Sequence, residues 1–133
     1  MAENFNGERD PKMTMQTRIS SEDKLALCYN SAISKMALDP VVFDLRGVSD
    51  MADVFMIFSG SSDRQIKAIV DSVEESLREA GEKNYHIEGY GKGWWVLLDA
   101  GDVVIHVFSV EARGYYDLES HWSDAKRIYL EGE

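Results

Sequence analysis

Three histidines, one cysteine, a Gly-Ser-Ser run and two aspartates around a turn are the residues of this chain whose types could do chemistry. His86, His106 and His121 lack the mutual spacing of metal ligands, and there is no cysteine pair, so no metal site is expected. His106 lies on an apolar stretch and reads as a core imidazole. Cys28 falls on the apolar stripe of a helix, the setting of a packed thiol and not of a nucleophile. Gly60-Ser61-Ser62 lacks the Gly-x-Ser-x-Gly context of a nucleophile elbow. What remains to it is phosphate binding at a helix start, where free amides and the helix dipole favour an anion. A plain helix cap at Ser62 explains the same residues without chemistry.

The elements that must position these residues follow from periodicity. Residues 1–20 are polar and aperiodic and read as a disordered N-terminal arm, leaving 21–133 as a single domain. Ser20 or Ser21 caps a helix with Leu25, Cys28, Tyr29, Ala32, Ile33 and Met36 on one face, ending near Leu38 because Asp39 precedes Pro40. Short apolar runs at 41–45 and 54–59 read as strands joined by a loop. Ser62 and Gln65 have capping-box spacing, and Ile66, Ile69, Val70, Val73 and Leu77 then mark an amphipathic helix closed by Gly81. With a strand at 85–88 this makes a crossover unit, expected to be right-handed.

Residues 88–108 read as a hairpin, with Trp94 and Trp95 at its start and a turn at Ala100-Gly101 between Asp99 and Asp102. Its second strand is apolar on both faces and belongs inside the sheet. Strand parity puts Trp95, Leu97 and Asp99 on one face and Trp94, Val96 and Leu98 on the other. Tyr115, Leu118 and Trp122 suit a C-terminal helix. The order is α-β-β-α-β-β-β-α, an α/β (α+β) sandwich around one mixed β-sheet of about five strands flanked by helices.

Composition narrows the partners. With 14 Lys and Arg against 24 Asp and Glu, the net charge of -10 disfavours direct binding of nucleic acid and suits a basic protein. No apolar run approaches the ~20 residues of a membrane span. The lone cysteine and the absence of a signal-peptide pattern suggest a reducing, cytoplasmic setting.

The Gly60-Ser61 turn is similar to the opening of the nucleotidyltransferase motif. That chemistry needs aligned carboxylates to hold two metal ions, and Asp99 and Asp102 are separated by a turn while Asp117 and Glu119 fall in the C-terminal helix. A shared fold with lost chemistry fits both observations, so no cofactor is expected. A nucleotidyltransferase-like enzyme binding phosphate at Gly60-Ser61 is the alternative reading.

A longer set of motifs resembles the ribosomal silencing factors, or Iojap-related proteins. It comprises Ala52-Asp53, Gly60-x-Ser62 with Arg64-Gln65 and Ala68-Ile69, Glu88-Gly89, Trp95-Val-Leu-Leu-Asp99, Gly101-Asp102-Val-Val-Ile-His106-Val-Phe108, and Arg113 with Tyr116-Asp-Leu-Glu119 and Trp122. The resemblance implies a nucleotidyltransferase-like fold without the activity and a homodimer when free. It also implies binding to a basic protein of the large ribosomal subunit, protein fourteen, at the face where the small subunit docks, which represses translation under nutrient limitation. Trp95 matches the family's contact tryptophan, and Trp94, Asp99, Ala100 and Asp102 are assigned with it to the partner surface. Trp94, Ala100 and Ser120-His121 depart from the common pattern, which has a polar or acidic residue, a bulkier apolar residue and a basic-apolar pair there. Asp53, Gly60, Ser62, Glu88, Gly89, Gly101, His106, Arg113, Tyr116, Glu119 and Trp122 are supporting positions. Asp53, Asp102 and Glu119 equally suit acceptors for loop amides, while Gly89 and Gly101 suit backbone requirements.

Overall fold

The computed structural model describes residues 19–130, so the first eighteen residues of the expected arm lie outside the described span. Helix α1 (Ser21–Ser34) begins where the Ser20 side chain accepts from the Asp23 amide. It stops short of the proline-based limit. Met36 and Asp39 adopt positive φ (64° and 48°), and Leu38 already opens strand β1 (Leu38–Asp44). Pro40 therefore lies in a strand, at the point where the register with the next strand shifts between Leu38 and Val41. Such an irregularity tolerates the missing N–H.

Strand β2 (Val54–Gly60) is buried throughout, and α2 (Asp63–Glu79) follows, with Ser62 capping it through the Gln65 amide. Then come β3 (His86–Glu88), β4 (Trp95–Asp99), β5 (Val103–Ser109), α3 (Val110–Tyr116), α4 (Leu118–His121) and β6 (Lys126–Ile128). The single C-terminal helix expected from spacing is broken in two at Asp117, whose backbone is left-handed. The strands form one mixed sheet in the order β3-β4-β5-β2-β1-β6, parallel between β2 and β5 and antiparallel elsewhere. The sixth strand, β6, was not expected. The crossover that begins with α2 also ends differently: β3 pairs only with β4, and the parallel partner of β2 is β5.

The two faces of β5 show how the layers divide. Val103, Ile105 and Val107 pack with Val54, Met56 and Phe58 beneath α1 and α2. Val104 and Phe108 join Phe43, Phe55 and Ile57 on the opposite face, under the shorter α3. Each such buried side chain contributes ~1.5–3 kcal/mol relative to exposure. The helix-side face is closed by two long helices, whereas the other face has a lighter cover that leaves part of β4 open.

Candidate functional site

Trp95, Leu97 and Asp99 alternate with the buried Val96 and Leu98 along β4, and they point to the lightly covered face, as parity predicts. The Trp95 ring stacks on Phe108, its direct cross-strand partner, at a centroid distance of 4.9 Å, and it meets Tyr116 of α3 at 4.8 Å. Its indole N–H donates to His106 Nδ1 at 3.2 Å. Phe55 meets His106 at 4.9 Å and packs edge-to-face with Trp122 at 5.5 Å. Trp95, His106, Phe55 and Trp122, with Met51, Leu97 and Leu118, line a groove of about 330 Å³ that also includes Asp99 and His121.

Trp94 departs from the parity reading. It precedes β4, and its indole N–H donates to the hydroxyl of Tyr116, the same ring that Trp95 contacts. Both tryptophans thus converge on Tyr116, which with the exposed Tyr115 extends the aromatic surface. Glu88 and Gly89 lie beside Trp95 and Leu97. Gly89 has φ of +83°, and a β-carbon there would collide with the Trp95 carbonyl, so glycine is what lets the chain pass behind the tryptophan.

The remaining residues assigned to the partner surface sit elsewhere. Ala100 is buried in the helix-side core, so its methyl group is not a surface contact. Asp102 also faces the helices: its carboxylate accepts from Lys24 Nζ at 2.6 Å and from Ser21 Oγ at 2.6 Å. Burial raises the Asp102 pKa, but hydrogen bonds from Lys24 and Ser21 and the lysine charge outweigh it and hold the carboxyl below its ordinary value. Lys24, 1% exposed, also reaches Glu82 at 3.3 Å and the Ala100 carbonyl at 3.1 Å. This buried cluster escaped the sequence reading. Its one signal was that Lys24 precedes Cys28 by four residues, on the same helical stripe. Burial pushes the Cys28 thiol up to about 12, which removes it as a nucleophile despite the nearby lysine.

The supporting positions form local ties. Arg113 donates to both Glu119 carboxylate oxygens, at 3.0 and 3.2 Å, and to Ser59 Oγ at 3.0 Å, so it clamps α3, α4 and β2 together across the Asp117 break. Asp53 accepts weakly from Ser21 at 3.4 Å, and the Gly101 amide donates to Asp99. At the Gly60-Ser61 turn the Ser61 amide and hydroxyl both donate to Gln65 Oε1, at 2.6 and 2.9 Å. Both Ser61 donors are thereby engaged within the turn.

His106 is 3% exposed, and burial drives its pKa down to about 4 against the opposing charge of Asp99. The imidazole is therefore neutral at pH 7. Because Nδ1 accepts from Trp95, the proton resides on Nε2. That N–H and the Trp122 indole N–H are buried and have no acceptor among the described residues. A buried donor left so costs ~1–3 kcal/mol. A pH effect follows. Between the ordinary histidine value and 4 the unfolded chain binds a proton that the folded chain refuses, so stability present at pH 7 is lost as pH falls from about 6.5 to 4. The expected loss from this group is about 3 kcal/mol. Urea unfolding at pH 7 and pH 4 should show a difference smaller by that amount in His106→Gln than in the parent, and equal differences would refute the assignment.

The comparisons with known proteins agree with this architecture. A family profile described as "Ribosomal silencing factor during starvation" matches residues 18–133. The chain is 40% identical over 114 residues to the ribosomal silencing factor RsfS of Halalkalibacterium halodurans, covering 86% of this chain and 97% of that one. It is 43% identical over 91 residues to RsfS of Bacillus subtilis, covering 68% and 77%. A crystal structure of a Chromobacterium violaceum protein superposes with a TM-score of 0.77 at 32% identity, over 86% of this chain and 95% of that chain. The two named relatives carry the name of a regulator and not of a catalysed reaction. With the profile spanning nearly the whole sequence, the mixed sheet and its aromatic hairpin have a family: this chain belongs to the ribosomal silencing factors.

Proposed function

We propose that this protein acts in the cytoplasm as a translational repressor, binding the large ribosomal subunit and sterically blocking the small subunit from joining when nutrients are scarce. The observation that carries the reading is the aromatic groove lined by Trp95, in a chain whose family is named for silencing ribosomes. A central aromatic anchor at the edge of a pocket is the usual core of a protein interface. The net charge of -10 favours a basic protein as the docking point, and the family resemblance suggests protein fourteen of the large subunit. The same resemblance suggests a homodimer in the free state. An enzymatic reading gains nothing from the geometry, since Gln65 holds the Ser61 donors and Asp99 and Asp102 bond to different partners.

Sucrose-gradient sedimentation tests the proposal. The protein should travel with isolated large subunits, and at saturation it should prevent added small subunits from forming complete ribosomes. Recovery only at the top of the gradient, with subunit joining unaffected, would overturn it.

A further inference from the structure

Trp94, Val110, Tyr115 and Tyr116 are large apolar side chains left exposed, and all four lie where the start of β4 meets α3. The Ser109 amide donates to the Trp94 carbonyl at 2.9 Å, which ties the two segments together. Tyr116 is the hub of the cluster. Its hydroxyl accepts from the Trp94 indole N–H at 3.2 Å, Tyr115 meets it edge-to-face at 5.1 Å, and Trp95 reaches it at 4.8 Å. Single exposed apolar residues need no explanation, but a connected group of them marks an interaction surface. Through Tyr116 this aromatic ledge is continuous with Trp95, and so with the groove that Trp95 lines.

We propose that this ledge takes an arginine side chain of the protein partner, its guanidinium stacked on the Tyr115 ring and its charge met by Glu111. This rests on the partner reading above and adds a second contact beside the groove. Tyr115 is 77% exposed, so most of its ring is open to a ligand. Glu111, also exposed, precedes it by four residues on α3, the spacing that puts two side chains on one face of a helix. The other charged side chain of α3, Arg113, is engaged by Glu119 and Ser59 and does not compete for Glu111. An aromatic face attracts a cation, and the planar, weakly hydrated guanidinium stacks there better than an ammonium group. A nucleic-acid base also stacks on tyrosine, but its phosphates would meet Glu111 and a chain of net charge -10. Because Tyr115 rests on Tyr116, which both tryptophans contact, part of the ordering that binding requires is already present in the free protein.

Affinity for isolated large ribosomal subunits, measured at low and high salt, tests the ring and the charge separately. Tyr115→Phe keeps the ring and should bind like the parent, whereas Tyr115→Leu should bind ~3-fold to 10-fold more weakly. Glu111→Gln should weaken binding about threefold at low salt, with the difference fading at high salt. The double variant Glu111→Gln with Tyr115→Leu should lose less than the two losses combined, because both residues hold one cation. Melting temperatures should stay at the parent value, since both positions are exposed. Parent-like binding by Tyr115→Leu, equal losses in Tyr115→Phe and Tyr115→Leu, or fully additive losses in the double variant would each overturn the proposal. Unchanged binding by Glu111→Gln would remove the shared cation, and tighter binding would show a nucleic-acid base on the ledge in place of the arginine. In all these cases the parent still binds large subunits and the functional reading stands. If the parent does not bind, the functional reading itself fails.

Discussion

Trp95→Ala is expected to weaken binding to large ribosomal subunits by ~30-fold to 1000-fold, the range corresponding to the ~2–4 kcal/mol typical of a central interface tryptophan. The ring is only half-buried, which leaves surface for a partner, yet three contacts fix it: Phe108 by stacking, Tyr116 at its side and His106 through the indole N–H. A side chain so constrained loses little entropy on binding. Truncation also takes the donor from His106 Nδ1, so a loss of fold stability of ~1–3 kcal/mol should accompany the loss of affinity. Trp95→Phe separates the two effects, because it keeps the stacking partner and removes the hydrogen bond. Circular dichroism and thermal melts must show Trp95→Ala folded at the assay temperature. A folded Trp95→Ala that binds large subunits like the parent would remove this face of the hairpin as the contact surface.

Lys24→Met should cost about 3–5 kcal/mol of stability, the usual consequence of breaking a buried ion pair from one side. The ammonium group is the shared counter-charge of Asp102 and Glu82, and Glu82 is 5% exposed. Without it two carboxylates and the Ala100 carbonyl face a hydrocarbon chain. This would remove a large part of the ~5–15 kcal/mol that a domain of this kind has available. Urea unfolding should also show that adding Glu82→Gln to Lys24→Met restores part of the loss, since it neutralises one orphaned charge. Additive costs in the double variant would mean that Lys24 stabilises the fold by packing its stem and not by its charge.

The parts of the fold that were legible in the sequence are those set by local periodicity. Ser62, Gln65 and the stripe from Ile66 to Leu77 announced α2, and the two-residue alternation of β4 and β5 announced the hairpin and the outward face of Trp95. What was missed depends on tertiary position. Strand β6 has three residues, two of them basic, and acquires its identity from pairing with β1. Trp94 escaped the parity rule because the strand starts one residue later. Lys24 and Glu82 are charged and carry no local pattern that marks them as interior, yet each meets the other there. The far wall of the groove, Phe55 with Met51 and Trp122, draws on segments separated by about half the chain.

The two outermost strands of the sheet carry a consequence for how this protein meets other chains. At one margin β3 offers three residues, with His86 and Glu88 in hydrogen-bond contact at 2.8 Å beside the backbone, and at the other β6 offers Lys126 and Arg127. Short, charged margins resist the addition of a foreign strand, the route by which open sheets aggregate or capture extended peptides. On the proposed function, association is thereby directed away from the backbone and onto the side chains of the sheet's open face, where shape and not hydrogen-bond laddering would set the choice of partner.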